Sequence, residues 1–84
     1  MKDIKWSHLK SERLKRTRGV SFEEIINAEL VDVKRHPQRE GQDIMLFKYK
    51  GCIWIVPYVE DKDCIFLKTL YPSRKYTKIY RKGE

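Results

Sequence analysis

The 84-residue chain has no apolar run long enough to cross a bilayer: its longest, Cys52 to Val59, falls far short of the roughly 20 residues a spanning helix needs. No apolar leader opens it either, since Met1-Lys2-Asp3-Ile4-Lys5 runs straight into charge. Two cysteines and two histidines, without C-x-x-C or H-x-x-x-H spacing, give no zinc signature. Glycine-rich phosphate loops, the G-x-S-x-G elbow and H-E-x-x-H are all missing, which excludes the common nucleotide hydrolases, serine hydrolases and zinc peptidases. There is no internal repeat and no low-complexity linker. The expectation is one small, soluble, cytoplasmic domain over residues 1–84, without a metal or other cofactor.

What the chain does have is positive charge. Nineteen Lys+Arg against 12 Asp+Glu give +7 and a pI near 9.5. The surplus sits at the two ends, around Lys10 to Arg18 and Arg74 to Lys82, and flanks a neutral apolar middle. That distribution suits a polyanion-facing surface. The plainer alternative is that basic helices simply solvate a small domain.

The pattern predicts a helix over Trp6 to Arg18, ended by Gly19 after a basic last turn. Ser21-Phe22-Glu23-Glu24 is a capping box opening a second helix, to about Glu29, with Val20 stapled on Ile25. From Leu30 the period becomes that of strands: Leu30 to Arg35, Asp43 to Tyr49, Cys52 to Val59 and Cys64 to Tyr71. Lys50-Gly51 makes the two-residue turn of the central hairpin. Ser73 caps a last helix to about Lys82. The expected fold is α+β: two N-terminal helices, a four-stranded antiparallel meander sheet and a C-terminal helix.

Those turns fix a register. Tyr49, Phe47, Met45, Trp54, Val56, Leu67 and Ile65 should share one face, covered by the first two helices. Leu46, Ile53, Ile55, Phe66 and Leu70, with Lys48 and Lys68, should share the other, a partly open concave surface. Val56 should lie opposite Leu67, and Pro57 should mark a bulge or the end of a ladder. Cys52 and Cys64 fall at opposite ends of their hairpin, roughly 20 Å apart at about 3.3 Å per residue, too far for a disulfide.

The most informative segment is Tyr71-Pro72-Ser73-Arg74-Lys75-Tyr76-Thr77. A capped helix start with two cations is suited to phosphate, and Tyr76 or Tyr80 can stack a base or donate a proton. His8 and His36 are candidate bases by their titration range; a surface role is the simpler account of His8, and His36 stays open beside Arg39 and Glu40.

Taken together, Lys5-Trp6-Ser7, the run from Arg18 to Glu24, the His36–Gln42 loop and the segment Phe66 to Thr77 resemble the BrnT-like toxins of bacterial toxin–antitoxin modules, in the RelE/ParE superfamily. Departures are visible: Thr17-Arg18-Gly19 stands where a Lys-His-Gly is frequent, Gln42 replaces a loop acid, and Pro72 replaces a serine. The resemblance implies a RelE-like fold and a metal-independent endoribonuclease that cleaves mRNA and inhibits translation. It further implies a cognate ribbon-helix-helix antitoxin as protein partner, with DNA met only through the antitoxin complex, and no membrane. On this reading Arg39, Arg74 and Lys75 contact phosphate, Glu40 or His36 is the base, and Tyr76 or Tyr80 is the acid. Lys48, Lys68, Lys78 and Arg81 would bind RNA. Two other expectations compete: a basic RNA- or ribosome-binding module without chemistry, and a toxin acting on a protein such as gyrase.

Overall fold

The computed structural model describes residues 2–36 and 41–81, the Arg81 side chain excepted. In chain order the elements are β1 (Asp3–Lys5), α1 (His8–Arg18), α2 (Phe22–Ile25), β2 (Glu29–Arg35), β3 (Asp43–Tyr49), β4 (Cys52–Glu60), β5 (Cys64–Leu67), β6 (Tyr71–Ser73) and α3 (Arg74–Arg81). The α+β class holds, but the meander is corrected. Among the described residues the sheet has six strands in the order β1-β5-β4-β3-β2, with β6 also on β4.

Two features account for the difference. β1 precedes both helices and lies parallel to β5, with Asp3 opposite Cys64 and Lys5 opposite Phe66. Three exposed residues with one apolar side chain carry no readable alternation. The other is a break in the expected fourth strand. β5 pairs with Tyr58–Glu60 and β6 with Ile53–Ile55, along the same edge of β4. Pro57 lies between these ladders, and its carbonyl accepts the Lys68 N–H at 2.8 Å. Since a strand residue's N and C=O point to the same side, the missing proline N–H falls where no ladder needs it.

The β3–β4 register is as expected, Phe47 opposite Trp54 and Tyr49 opposite Cys52. Lys50 and Gly51, with φ of 52° and 78°, supply the left-handed turn between them. In the next hairpin Tyr58, not Val56, faces Leu67. The turn is displaced because the Asp61 carboxylate accepts the N–H groups of Asp63 and Cys64, each at 2.9 Å, and closes over them. A two-residue slip keeps side chains on their faces, so Leu67 and Ile65 still join the predicted core. Leu70 does not stay on its predicted face. The strand break turns it under the helices, where it is fully buried, and the Arg18 guanidinium donates to its carbonyl.

α1 begins later than the pattern suggests. Ser7 caps it by accepting the Lys10 N–H at 3.3 Å, and Trp6 lies outside, its ring 6.2 Å from Phe22. Gly19, at φ 80°, ends it as expected. α2 has its capping box but stops at Ile25, because Asn27 and Ala28 donate three residues back, to Glu24 and Ile25. Between the two helices Ser11 is buried: its hydroxyl accepts the Phe22 N–H at 3.0 Å and donates to Glu23. Leu14, Val20, Phe22 and Ile25 then close over Met45, Phe47, Trp54 and Val56.

Glu24 ties this layer to the sheet. Its carboxylate accepts from the Ser21 N–H at 3.2 Å and the Tyr49 hydroxyl at 3.0 Å, and pairs with Lys15 at 2.7 Å. The Lys15 ammonium foremost, then the hydroxyl and amide donors, hold its carboxyl down at about 2 from an ordinary 4.5. A lowered folded-state value means stabilisation that is present above pH about 4.5 and lost as pH falls toward 2. Glu24→Gln should therefore flatten the acid side of the stability profile. The check is the urea midpoint near neutrality and near pH 3, where the drop between the two should be smaller in the variant than in the parent.

Candidate nucleic-acid interface

β6 leads directly into α3, and Ser73 makes the junction. Its hydroxyl accepts the Tyr76 N–H at 3.1 Å, which caps the helix as expected. Thr77 then pins the helix to the sheet: its hydroxyl donates to the Ser73 carbonyl at 2.5 Å and accepts the Ile53 N–H of β4 at 2.8 Å. One helical turn apart, Tyr76 and Tyr80 fall on one face, their ring centroids 6.4 Å apart. With Tyr71 they pack over Ile44, Leu46, Ile53 and Ile55. The sheet face expected to be open is thus covered by α3, and the open space lies along the flanks of the helix.

One flank is a groove of about 710 Å³ lined by Pro72, Ser73, Arg74, Lys75 and Lys78, with Cys52 and Thr77 at its base. The other is a smaller cavity of about 310 Å³ between Glu29, Val31, Lys48, Ile53 and Tyr80. Arg74, Lys75 and Lys78 are exposed, while Tyr76 and Tyr80 are half-buried. Toward β2 the Tyr80 hydroxyl donates to Asp32 at 2.8 Å, and Lys34 lies 3.5 Å from the same carboxylate. Burial, then this bond to Asp32, pushes the Tyr80 phenol up; the same bond, foremost, holds the Asp32 carboxyl down. The ammonium groups of Lys34 and Lys75 lie 6.0 and 5.7 Å from the centre of the Tyr76 ring.

Around α3, then, the fold gathers Arg74, Lys75, Tyr76, Lys78 and Tyr80 with Lys48 of β3. Lys68 is elsewhere, on the crossing between β5 and β6, with its ammonium 5.9 Å from the Phe66 ring, and it lines neither groove. Half-buried His36 follows β2 directly and donates its backbone N–H to the Gln42 carbonyl at 3.0 Å. Arg39 and Glu40 lie outside the described residues, as does the Arg81 side chain. Arg18, at the position where a histidine is frequent in the toxins named above, is spent on the Leu70 carbonyl and the Tyr71 ring, 6.0 Å away. His8 is exposed and lies 3.7 Å from Glu23. Cys52 and Cys64 are free thiols.

Asp32 and Lys34 are the residues that sequence reasoning passed over. Both sit in a strand whose alternation singles out neither, and only the register of β2 against β3 brings them beside α3.

No family model and no curated protein sequence matches the chain. By structure it is similar to the Brucella abortus ribonuclease toxin BrnT, whose crystal structure aligns with a TM-score of 0.58 at 14% identity, over 87% of this chain and 97% of that one. The fold is BrnT-like. A shared fold at this identity fixes the scaffold, and the chemistry has to be sought in the side chains around α3. No described helix is long and apolar enough to cross a membrane.

Proposed function

We propose that the chain is the toxin of a bacterial type II toxin–antitoxin module of the RelE/ParE superfamily, an endoribonuclease that cleaves mRNA without a metal and so halts translation. The observation that carries this reading is the cationic and aromatic helix α3, locked across the sheet of a BrnT-like fold with a groove along its basic flank. RNA holds its own nucleophile, because the 2′-OH can attack the adjacent phosphorus. The protein then needs to orient the sugar–phosphate, neutralise charge that develops on the phosphoryl oxygens, and exchange two protons.

Arg74 and Lys75, with Arg39, take the phosphate and the developing charge. Glu40 or His36 withdraws the 2′-OH proton, and Tyr76 or Tyr80 returns one to the leaving 5′ oxygen. Lys48, Lys78 and Arg81 bind the strand on either side, and Lys68 joins only a longer RNA that reaches the β5–β6 crossing. The protein partner is a ribbon-helix-helix antitoxin, through which the complex would meet DNA. The five basic residues of α1, against one acidic residue, suit an acidic antitoxin segment.

Induction of the chain in bacteria, beside Arg74→Ala, tests this directly. Growth arrest with loss of mRNA, both abolished by the substitution, is the expected result. Arrest with intact RNA would point to a protein target. Normal growth with intact RNA sinks the toxin reading.

A further inference from the structure

β2 carries a bulge. Leu30 lies opposite Phe47, yet Asp32 lies opposite Leu46, so one residue is inserted between them. Without it Asp32 would face Met45, on the side covered by α1 and α2, and Lys34 would leave the α3 face with it. With it, Asp32 and Lys34 lie opposite Leu46 and Ile44, whose side chains form the floor under α3. Bulges re-aim side chains beside functional sites, and here two charged residues are turned toward a helix rich in aromatics and cations.

The contacts made after that turn are specific. Asp32 holds the Tyr80 hydroxyl and stands beside Lys34. Lys34 of β2 and Lys75 of α3 approach one tyrosine ring, that of Tyr76, from two different elements. An aromatic side chain with two ammonium groups about 6 Å from its ring centre suits single-stranded RNA, in which a base to stack alternates with a phosphate to neutralise. Neither lysine is bound to a carboxylate as tightly as Lys15 is to Glu24; the Lys34–Asp32 distance of 3.5 Å leaves the ammonium close and orientable.

We infer that Lys34 is a phosphate-binding residue of a single-stranded RNA subsite centred on Tyr76, with Asp32 as the positioning residue that holds Lys34 and Tyr80. The strand then leaves the Arg74–Lys75 groove across Tyr76 toward β2. This deepens the ribonuclease reading and rests on it.

The test is the salt dependence of binding of a short fluorescent 2′-O-methyl oligoribonucleotide, which lacks the attacking hydroxyl and stays intact. Each phosphate contact contributes about 0.7 to the slope of log K against log salt for single strands. Lys34→Ala should lower the slope by about that amount with far-UV circular dichroism unchanged, and Lys34→Arg should restore it. Lys10→Ala, a charge removed from α1 on the opposite side of the sheet, should leave the slope alone. Asp32→Asn separates positioning from plain electrostatics: removing a negative charge should strengthen RNA binding if charge alone matters, and should weaken it if Asp32 positions Lys34. An unchanged slope for Lys34→Ala, or an equal fall for Lys10→Ala, overturns the subsite and leaves the ribonuclease reading standing on the induction result. Tighter binding by Asp32→Asn overturns the positioning role. Should the wild type not bind the oligonucleotide, the subsite falls, and mRNA loss on induction still decides the nuclease separately.

Discussion

Phe22→Ala is expected to destabilise the domain by about 3–5 kcal/mol, the range for deleting a fully buried aromatic ring from a packed core. An 84-residue domain has of order 4–13 kcal/mol in total at typical stability per residue. The variant should therefore lose about a quarter or more of its stability, and at the lower end of that range it should be at best marginally folded. Phe22 has no exposed surface and joins several parts of the helical layer. Its ring touches Trp6, its N–H is bound by Ser11, and it opens α2 directly after the Ser21 cap. The cavity could close only by moving α2 against α1, and the Ser11–Glu23 and Glu24–Tyr49 bonds resist that movement. Urea unfolding followed by tryptophan fluorescence would show it, since Trp6 and Trp54 both report on this layer. Phe22→Leu, which keeps most of the apolar volume, should cost less than half as much.

The local parts of the fold were legible because each is written in a few adjacent residues. Gly19 supplies a left-handed backbone after a basic turn, Ser21 and Glu24 cap each other, and Lys50-Gly51 builds the hairpin turn from positive φ. The central register followed from that turn, and with it the set Met45, Phe47, Trp54 and Val56 under the helices. Features set by distant partners were not legible. β1 exists because β5 offers it an edge, and the hydrogen bond from the Asp3 N–H to the Asp63 carbonyl spans most of the sequence. The strand break at Lys68 to Leu70 depends on Pro57 across the hairpin and on Arg18 from another layer.

At the candidate site the same division holds. Ser73, Arg74, Lys75, Tyr76 and Tyr80 could be read together because helical spacing and a cap define them locally. Lys48 was placed by the hairpin register, and it does stand beside α3. Lys68 was misplaced by the break in the following strand, which ends at Leu67. Asp32 and Lys34 were invisible because a bulge has no sequence signature in a segment such as Leu30-Val31-Asp32-Val33-Lys34, where either register leaves apolar side chains on both faces.

If the proposed nuclease activity is real, Arg74→Ala in the purified protein is expected to lower single-turnover RNA cleavage by about 10²–10³, the usual cost of removing one preorganised donor to developing transition-state charge. Arg74→Lys should recover only part, because an ammonium keeps the charge but loses the planar fork that holds two phosphoryl oxygens at once. The two tyrosines should then separate. Tyr80 already donates its hydroxyl proton to Asp32, and burial together with that bond raises its phenol, so the proton is held away from a leaving oxygen. Tyr80→Phe is thus expected to cost less than about tenfold, whereas loss of a general acid costs about 10²–10⁴. Tyr76→Phe should show that larger fall if Tyr76 is the acid, and its size at several pH values would identify the proton donor. A Tyr80→Phe defect as deep as that of Arg74→Ala reverses the assignment. Tyr80 would then give its hydroxyl proton to the leaving 5′ oxygen and regain one from water, with Asp32 as the group that orients the hydroxyl.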